Sequence, residues 1–219
     1  MKIIIKKIFS VMILMFCVCG LSMAQDRGDL FELHVFEIRL EKHVEVALSL
    51  INAFPKPGEQ SFLEANKKDY PHFDKVLIAV CDYKTCSELH QDVSGKPMTT
   101  VADGVAVILE SGSKKNAAIF INTDFIVNSS ASTTEVIAKL ITALYHEVYG
   151  HLYQYFNDKS YKMPANDAEN KADEIRAFNT SIACLENLLK ELNMKPEEKL
   201  YKELNKVLEN EKKMLKSYK

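Results

Sequence analysis

Hydrophobic and polar positions divide the chain into stretches of different period. Ile8 to Leu21 is apolar except for Ser10 and Gly20. Phe31 to Phe54 is apolar with mixed spacing, and its second half, from His43, fits a helix. Pro55-Lys56-Pro57-Gly58 stops it, and a short helix is expected over 59–67. Lys75 to Cys81 (KVLIAVC) is short, apolar and rich in β-branched residues, which predicts a buried strand. Residues 82–102 read as polar and irregular. Gly104 to Glu110 and Ala117 to Asn122 flank a Ser-Gly-Ser-Lys-Lys segment and predict a hairpin, with a loop over 124–132 after it.

Beyond residue 132 the period becomes helical. Ser132-Thr133-Thr134-Glu135 reads as a capping box, in which the Ser hydroxyl accepts from the N3 amide and Glu135 reaches back. Ile137, Leu140, Ile141, Leu144, Val148 and Leu152 then mark one side of a helix running to about Phe156. A second helix is expected over 167–193, with Ile175, Phe178, Ile182, Leu185, Leu189 and Leu192 at helical spacing. A third opens at Pro196 and carries Leu200, Leu204, Val207, Leu208, Met214 and Leu215. The pattern predicts an α+β fold: a small N-terminal sheet with helices over 25–131, then three C-terminal helices over 132–219, together one domain.

The first apolar run changes where the mature chain is expected to begin. Lys2, Lys6 and Lys7 precede it and Ser22-Met23-Ala24 follows, so 1–24 reads as a cleavable secretory signal and the protein as exported, periplasmic or secreted. The run is shorter than the ~20 apolar residues of a spanning helix. Phe16 and Val18, before Cys17 and Cys19, are larger than a lipoprotein cleavage site favours. Without the three lysines, 25 basic residues face 30 acidic ones, a net of about −5. No basic stripe exists to displace phosphate counterions, so nucleic acid is not the expected partner. Cys81 and Cys86 either close a short loop or stay as two thiols; Cys184 sits in a helical pattern as a small buried side chain.

Candidate chemistry concentrates in residues 145–155, YHEVYGHLYQY. His146 and His151 are five apart, one more than in the familiar H-E-x-x-H zinc motif. On a regular α-helix five steps turn the two rings about 140° apart, whereas four leave them about 40° apart. A π-bulge would realign them, and Gly150 offers a permissive backbone at that point. A catalytic zinc takes three protein ligands. Glu169, eighteen residues after His151, is the expected third, with Glu174 as its competitor. Asp173, one turn beyond Glu169, would accept the free N–H of a ligand histidine. Ala177, Thr180 and Cys184 continue that face with small side chains that allow close approach to the histidine helix.

His146, Glu147, Gly150 and His151 resemble the H-E-x-x-G-H motif of the dipeptidyl-peptidase III family of zinc exopeptidases. Glu169, Ala172 and Asp173 are similar to that family's E-x-x-A-E segment, with Asp in place of Glu. The order of elements also resembles small zincin-like metallopeptidase domains of bacterial effectors and toxins. The resemblance implies a zinc-dependent peptidase acting on a peptide or protein. Zn2+ would be held by His146, His151 and Glu169, with Glu147 as general base. The strand Ala117 to Asn122 would then lie along the cleft and pair with an extended substrate. The competing readings are an inactive zincin-like binding protein and a metal-free exported structural or interaction domain.

Overall fold

The structure is a computed structural model, and it describes residues 23–27, 30–59, 61–65, 68–71, 73–98, 103–111, 114–157, 161, 164, 166–192 and 194–218. It is α+β. Strands β1 (Met23–Arg27), β2 (Phe31–Val35), β3 (Phe73–Cys81), β4 (Gly104–Ser111) and β5 (Lys114–Asn122) form one sheet in the order β1-β2-β3-β5-β4. β2, β3 and β5 run parallel, and β1 and β4 close the two edges antiparallel. Residues 1–22 of the expected signal lie outside the described residues. Met23 and Ala24 begin β1, opposite Val35 and His34. Among the described residues no helix is long and apolar enough to cross a membrane.

β3 over Val76–Cys81 and β5 over Ala117–Ile121 are continuously apolar because both of their faces are covered there, as parallel strands require. Alternate residues divide between two cores. Val76, Ile78 and Val80 of β3, with Ile119 and Ile121 of β5, face the larger core. Leu77, Ala79 and Cys81, with Ala118 and Phe120, face a smaller one. The smaller core is covered by helix α2 (Tyr83–Ser94), following α1 (Glu41–Ala53) in chain order.

α2 occupies a segment expected to be irregular. Its apolar stripe is only Cys86, Leu89 and Val93, too thin to stand out in a polar run. Its ends were nonetheless marked. Asp82 Oδ1 accepts from the Thr85 amide at 2.8 Å, and Gly95 takes the left-handed C-cap conformation at φ 76°. A disulfide between Cys81 and Cys86 ties the end of β3 to the first turn of α2. Cys184 is a buried free thiol.

Three other boundaries differ from expectation. β2 lies in the mixed-period stretch before α1. Of the helix expected over 59–67, the described residues show a single 3-10 turn at Phe62–Glu64, held by Phe62 packing among Phe31, Tyr70, Tyr153 and Phe156; residues 60, 66 and 67 lie outside the described residues. The loop expected over 124–132 begins as a short helix, α3 (Thr123–Asn128).

The C-terminal part follows the pattern closely. Helix α4 (Thr133–Leu144) runs without a break into a π-helical stretch (Tyr145–Leu152) and then α5 (Tyr153–Asn157). α6 (Asp167–Glu191) and α7 (Lys199–Tyr218) pack against that composite helix.

At the start of α4, the Ser132 hydroxyl accepts from the Glu135 amide as expected. Glu135 reaches one residue further back than a standard box, to the Ala131 amide at 2.8 Å, and also pairs with Lys206 and Lys139. The Ala131 hydrogen bond, with Lys206 and Lys139, holds its pKa down at about 2 from an ordinary 4.5. A depressed carboxylate contributes stability above its unfolded pKa and loses it on protonation. Glu135 should therefore make the unfolding midpoint fall as pH drops from about 4.5 through about 2. In Glu135→Gln, that segment of the denaturation profile should flatten.

Candidate metal centre

His146 and His151 both lie in the π-helical stretch. Hydrogen bonding from i to i+5 widens each turn to roughly 4.4 residues, so five steps return nearly to the same side. The rings accordingly converge: His146 Nε2 and His151 Nε2 are 3.2 Å apart. The deformation demanded by the odd spacing is present over eight residues, a longer stretch than a single bulge.

Gly150 has a different job from the one its flexibility suggested. Its φ is not positive, unlike those of Gly58 and Gly95. A Cβ built there would lie 2.8 Å from both Cα and Cβ of Ala177. Glycine at 150 and alanine at 177 let α6 cross the histidine helix in direct contact. Thr180 and Cys184 continue the same buried line.

That crossing decides which carboxylate reaches the imidazoles. Glu174 Oε2 lies 3.3 Å from His146 Nε2, and Glu174 Oε1 lies 3.6 Å from His151 Nε2. His146, His151 and Glu174 each offer a ligand atom, and all three atoms fall within 4.8 Å of one another, an arrangement able to hold a metal ion. Glu169, the expected third ligand, is elsewhere. It sits exposed in the first turn of α6, where its Oε1 accepts from Asn166 Nδ2 at 2.9 Å. Glu174 is three residues before Ala177, about 4.5 Å along the axis, while Glu169 is eight before it, about 12 Å.

Asp173 stands behind His151: its Oδ2 is 2.9 Å from Nδ1. Tyr161 Oη donates to the same oxygen at 2.9 Å, and Arg176 bonds the other oxygen while its guanidinium lies 4.6 Å from the Tyr161 ring centre. The remaining tyrosines near the motif are committed to the core. Tyr145 donates to the Phe54 carbonyl, Tyr149 accepts from the Phe62 amide, and Tyr153 packs on Phe62.

Glu147 is buried against the start of β4, where a Cβ at Gly104 would lie 2.8 Å from its Cγ. Burial pushes its carboxyl above the usual range, and also that of Asp103 next to Gly104. Burial raises Glu211 of α7 as well, to about 7. For Glu174, burial is outweighed by the hydrogen bond to His146 and the two imidazoles, and its pKa falls. Burial alone would depress His146, yet the Glu174 hydrogen bond and the Glu147 and Glu211 carboxylates raise it to about 9. Burial, with His146 alongside, lowers His151. Carboxylates thus outnumber cations around a pair of converging imidazoles, which is an environment suited to a bound cation.

The strand expected to receive substrate cannot do so. β5 is hydrogen-bonded to β3 on one side and β4 on the other. The edge on this side of the sheet is β4, whose first residue touches Glu147. The sequence offers Glu174 only as the competitor of Glu169, shows Glu211 only as a glutamate on an otherwise apolar helix stripe, and carries no signal for Asp103 or Gly104.

The chain matches no family model, no curated protein and no solved structure.

Proposed function

We propose that this protein is an exported, zincin-like zinc peptidase whose metal ligands are His146, His151 and Glu174. The observation that carries the reading is the meeting of two imidazoles from a π-helical turn with the Glu174 carboxylate from α6, with Glu147 next to His146 in the chain. Two nitrogens held ~2.0–2.1 Å from a tetrahedral zinc lie about 3.3–3.4 Å apart. The 3.2 Å between the two Nε2 atoms fits that spacing, and the two-nitrogen, one-oxygen donor set suits zinc. The Cys81–Cys86 disulfide supports an oxidising compartment, in keeping with export.

Bound zinc supplies a Lewis acid for the scissile carbonyl and lowers the pKa of a water toward neutrality. The chain's own residues do the rest. Glu147, buried at the start of β4 and next to His146 in the chain, takes a proton from the attacking water and returns it to the leaving amine. Asp173 fixes the His151 tautomer by accepting from Nδ1, and Tyr161 and Arg176 fix Asp173. An extended peptide adds to the outer edge of β4, which pairs with no other strand among the described residues, and so passes Glu147 at Gly104.

The purified protein should bind about one zinc per chain and cleave members of a broad peptide library in a chelator-sensitive way. Glu147→Gln should lower cleavage by ~10²- to 10⁴-fold, the range of a lost general base, and leave zinc content unchanged. Zinc binding without any cleavage by the wild type would instead make the site a non-catalytic binding centre.

A further inference from the structure

Both imidazoles present Nε2 to the shared centre, so each has an Nδ1 directed away from it. His151 has Asp173 behind Nδ1. His146 has Glu211, whose Oε2 lies 3.9 Å from Nδ1 and comes from the C-terminal helix α7. We propose that Glu211 is the positioning carboxylate for His146, making α7 a working part of the metal centre. This inference rests on the zinc reading above.

The placement of Glu211 is unusual for its helix. Leu204, Val207, Leu208 and Leu215 form the buried stripe of α7, and Glu211 occupies the next position of that stripe. A carboxylate there is disfavoured unless it is bonded. Ser181 of α6, itself fully buried, donates its hydroxyl to Glu211 Oε2, the same oxygen that faces His146. A serine on one helix thus aims a glutamate on another at the ring. The His146 edge is further bounded by Phe178, 4.7 Å away between ring centres, which leaves Nδ1 facing the carboxylate. With the Glu211 carboxylate 3.9 Å from Nδ1, an ion-pair distance, the proton is favoured on Nδ1, and Nε2 is then the bare nitrogen that a metal requires. The two histidines are then oriented in the same way, one from α6 and one from α7.

The test uses the full chain with zinc, in competition with a chromophoric chelator, for wild type, Glu211→Gln and Glu211→Leu. Both variants should bind zinc ~10- to 100-fold more weakly, the usual loss for an outer carboxylate. Glu211→Leu completes the apolar stripe and should melt no lower than wild type, which separates positioning from a merely structural role. In 15N spectra of the zinc-loaded wild type, His146 should carry its proton on Nδ1, and that signal should shift in Glu211→Gln. Unchanged affinity and an unchanged His146 signal in both variants would overturn the role of Glu211 while leaving the zinc site standing. Failure of the wild type itself to bind zinc would overturn the site and this inference together.

Discussion

Glu174→Ala should weaken zinc binding by more than ~100-fold, a larger loss than removal of an outer-shell partner produces. Glu169→Ala should change it by no more than about twofold, the scale of an ordinary surface substitution. The two residues are on the same helix but five positions apart, so they differ by about 140° around its axis as well as in height relative to the helix crossing. Glu174 is within 3.6 Å of both imidazoles, while Glu169 is engaged with Asn166 at the N-terminus. A second readout comes from the metal-free protein. Glu174 supplies the hydrogen bond that does most to hold His146 up at about 9. In Glu174→Ala the His146 titration followed by NMR should move to lower pH, and in Glu169→Ala it should stay in place. Equal losses of zinc from both variants would mean that α6 is merely being loosened.

Gly150→Ala is expected to damage both fold and site. The added methyl would lie 2.8 Å from Ala177 Cα, an obstacle that no rotamer change removes. Overpacking costs ~1–3 kcal/mol, and contact with backbone places this case at the upper end. Alanine favours helix over glycine by ~1 kcal/mol, so the net destabilisation should be about 2 kcal/mol by denaturant unfolding. Zinc affinity should fall further than stability alone predicts, because Asp173 and Glu174 lie within one turn of the point where the helices are pushed apart. Ala177→Gly in the same chain removes one of the two clashing atoms and should restore part of both losses. If the single variant were as stable as wild type and bound zinc equally well, the close crossing would not be what assembles the centre.

The segments legible in the sequence are those with a strong, simple period. KVLIAVC gave a buried strand because a parallel strand covered on both faces needs a run of apolar residues, here Val76 to Cys81. The three C-terminal helices showed through stripes of six apolar residues each, of which Met214 alone among the large ones on the last helix faces outward. α2 did not, because a helix covering a small core needs only Cys86, Leu89 and Val93. The reading of β5 as the substrate strand failed because its sequence does not say which neighbours it has. Its partners β3 and β4 come from either side of it in space.

The chain by itself determined that His146 and His151 cannot share an ion on a regular helix, since the angle per residue is a property of the backbone alone. It also determined that small residues at 177, 180 and 184 would let another helix come close. The tertiary structure decided which acid completes the group, because that depends on the height at which Gly150 meets Ala177. It also decided that Glu211, sixty residues beyond His151, would stand behind His146. Local spacing fixes direction around one helix axis, but the meeting of side chains from three helices depends on where those axes cross.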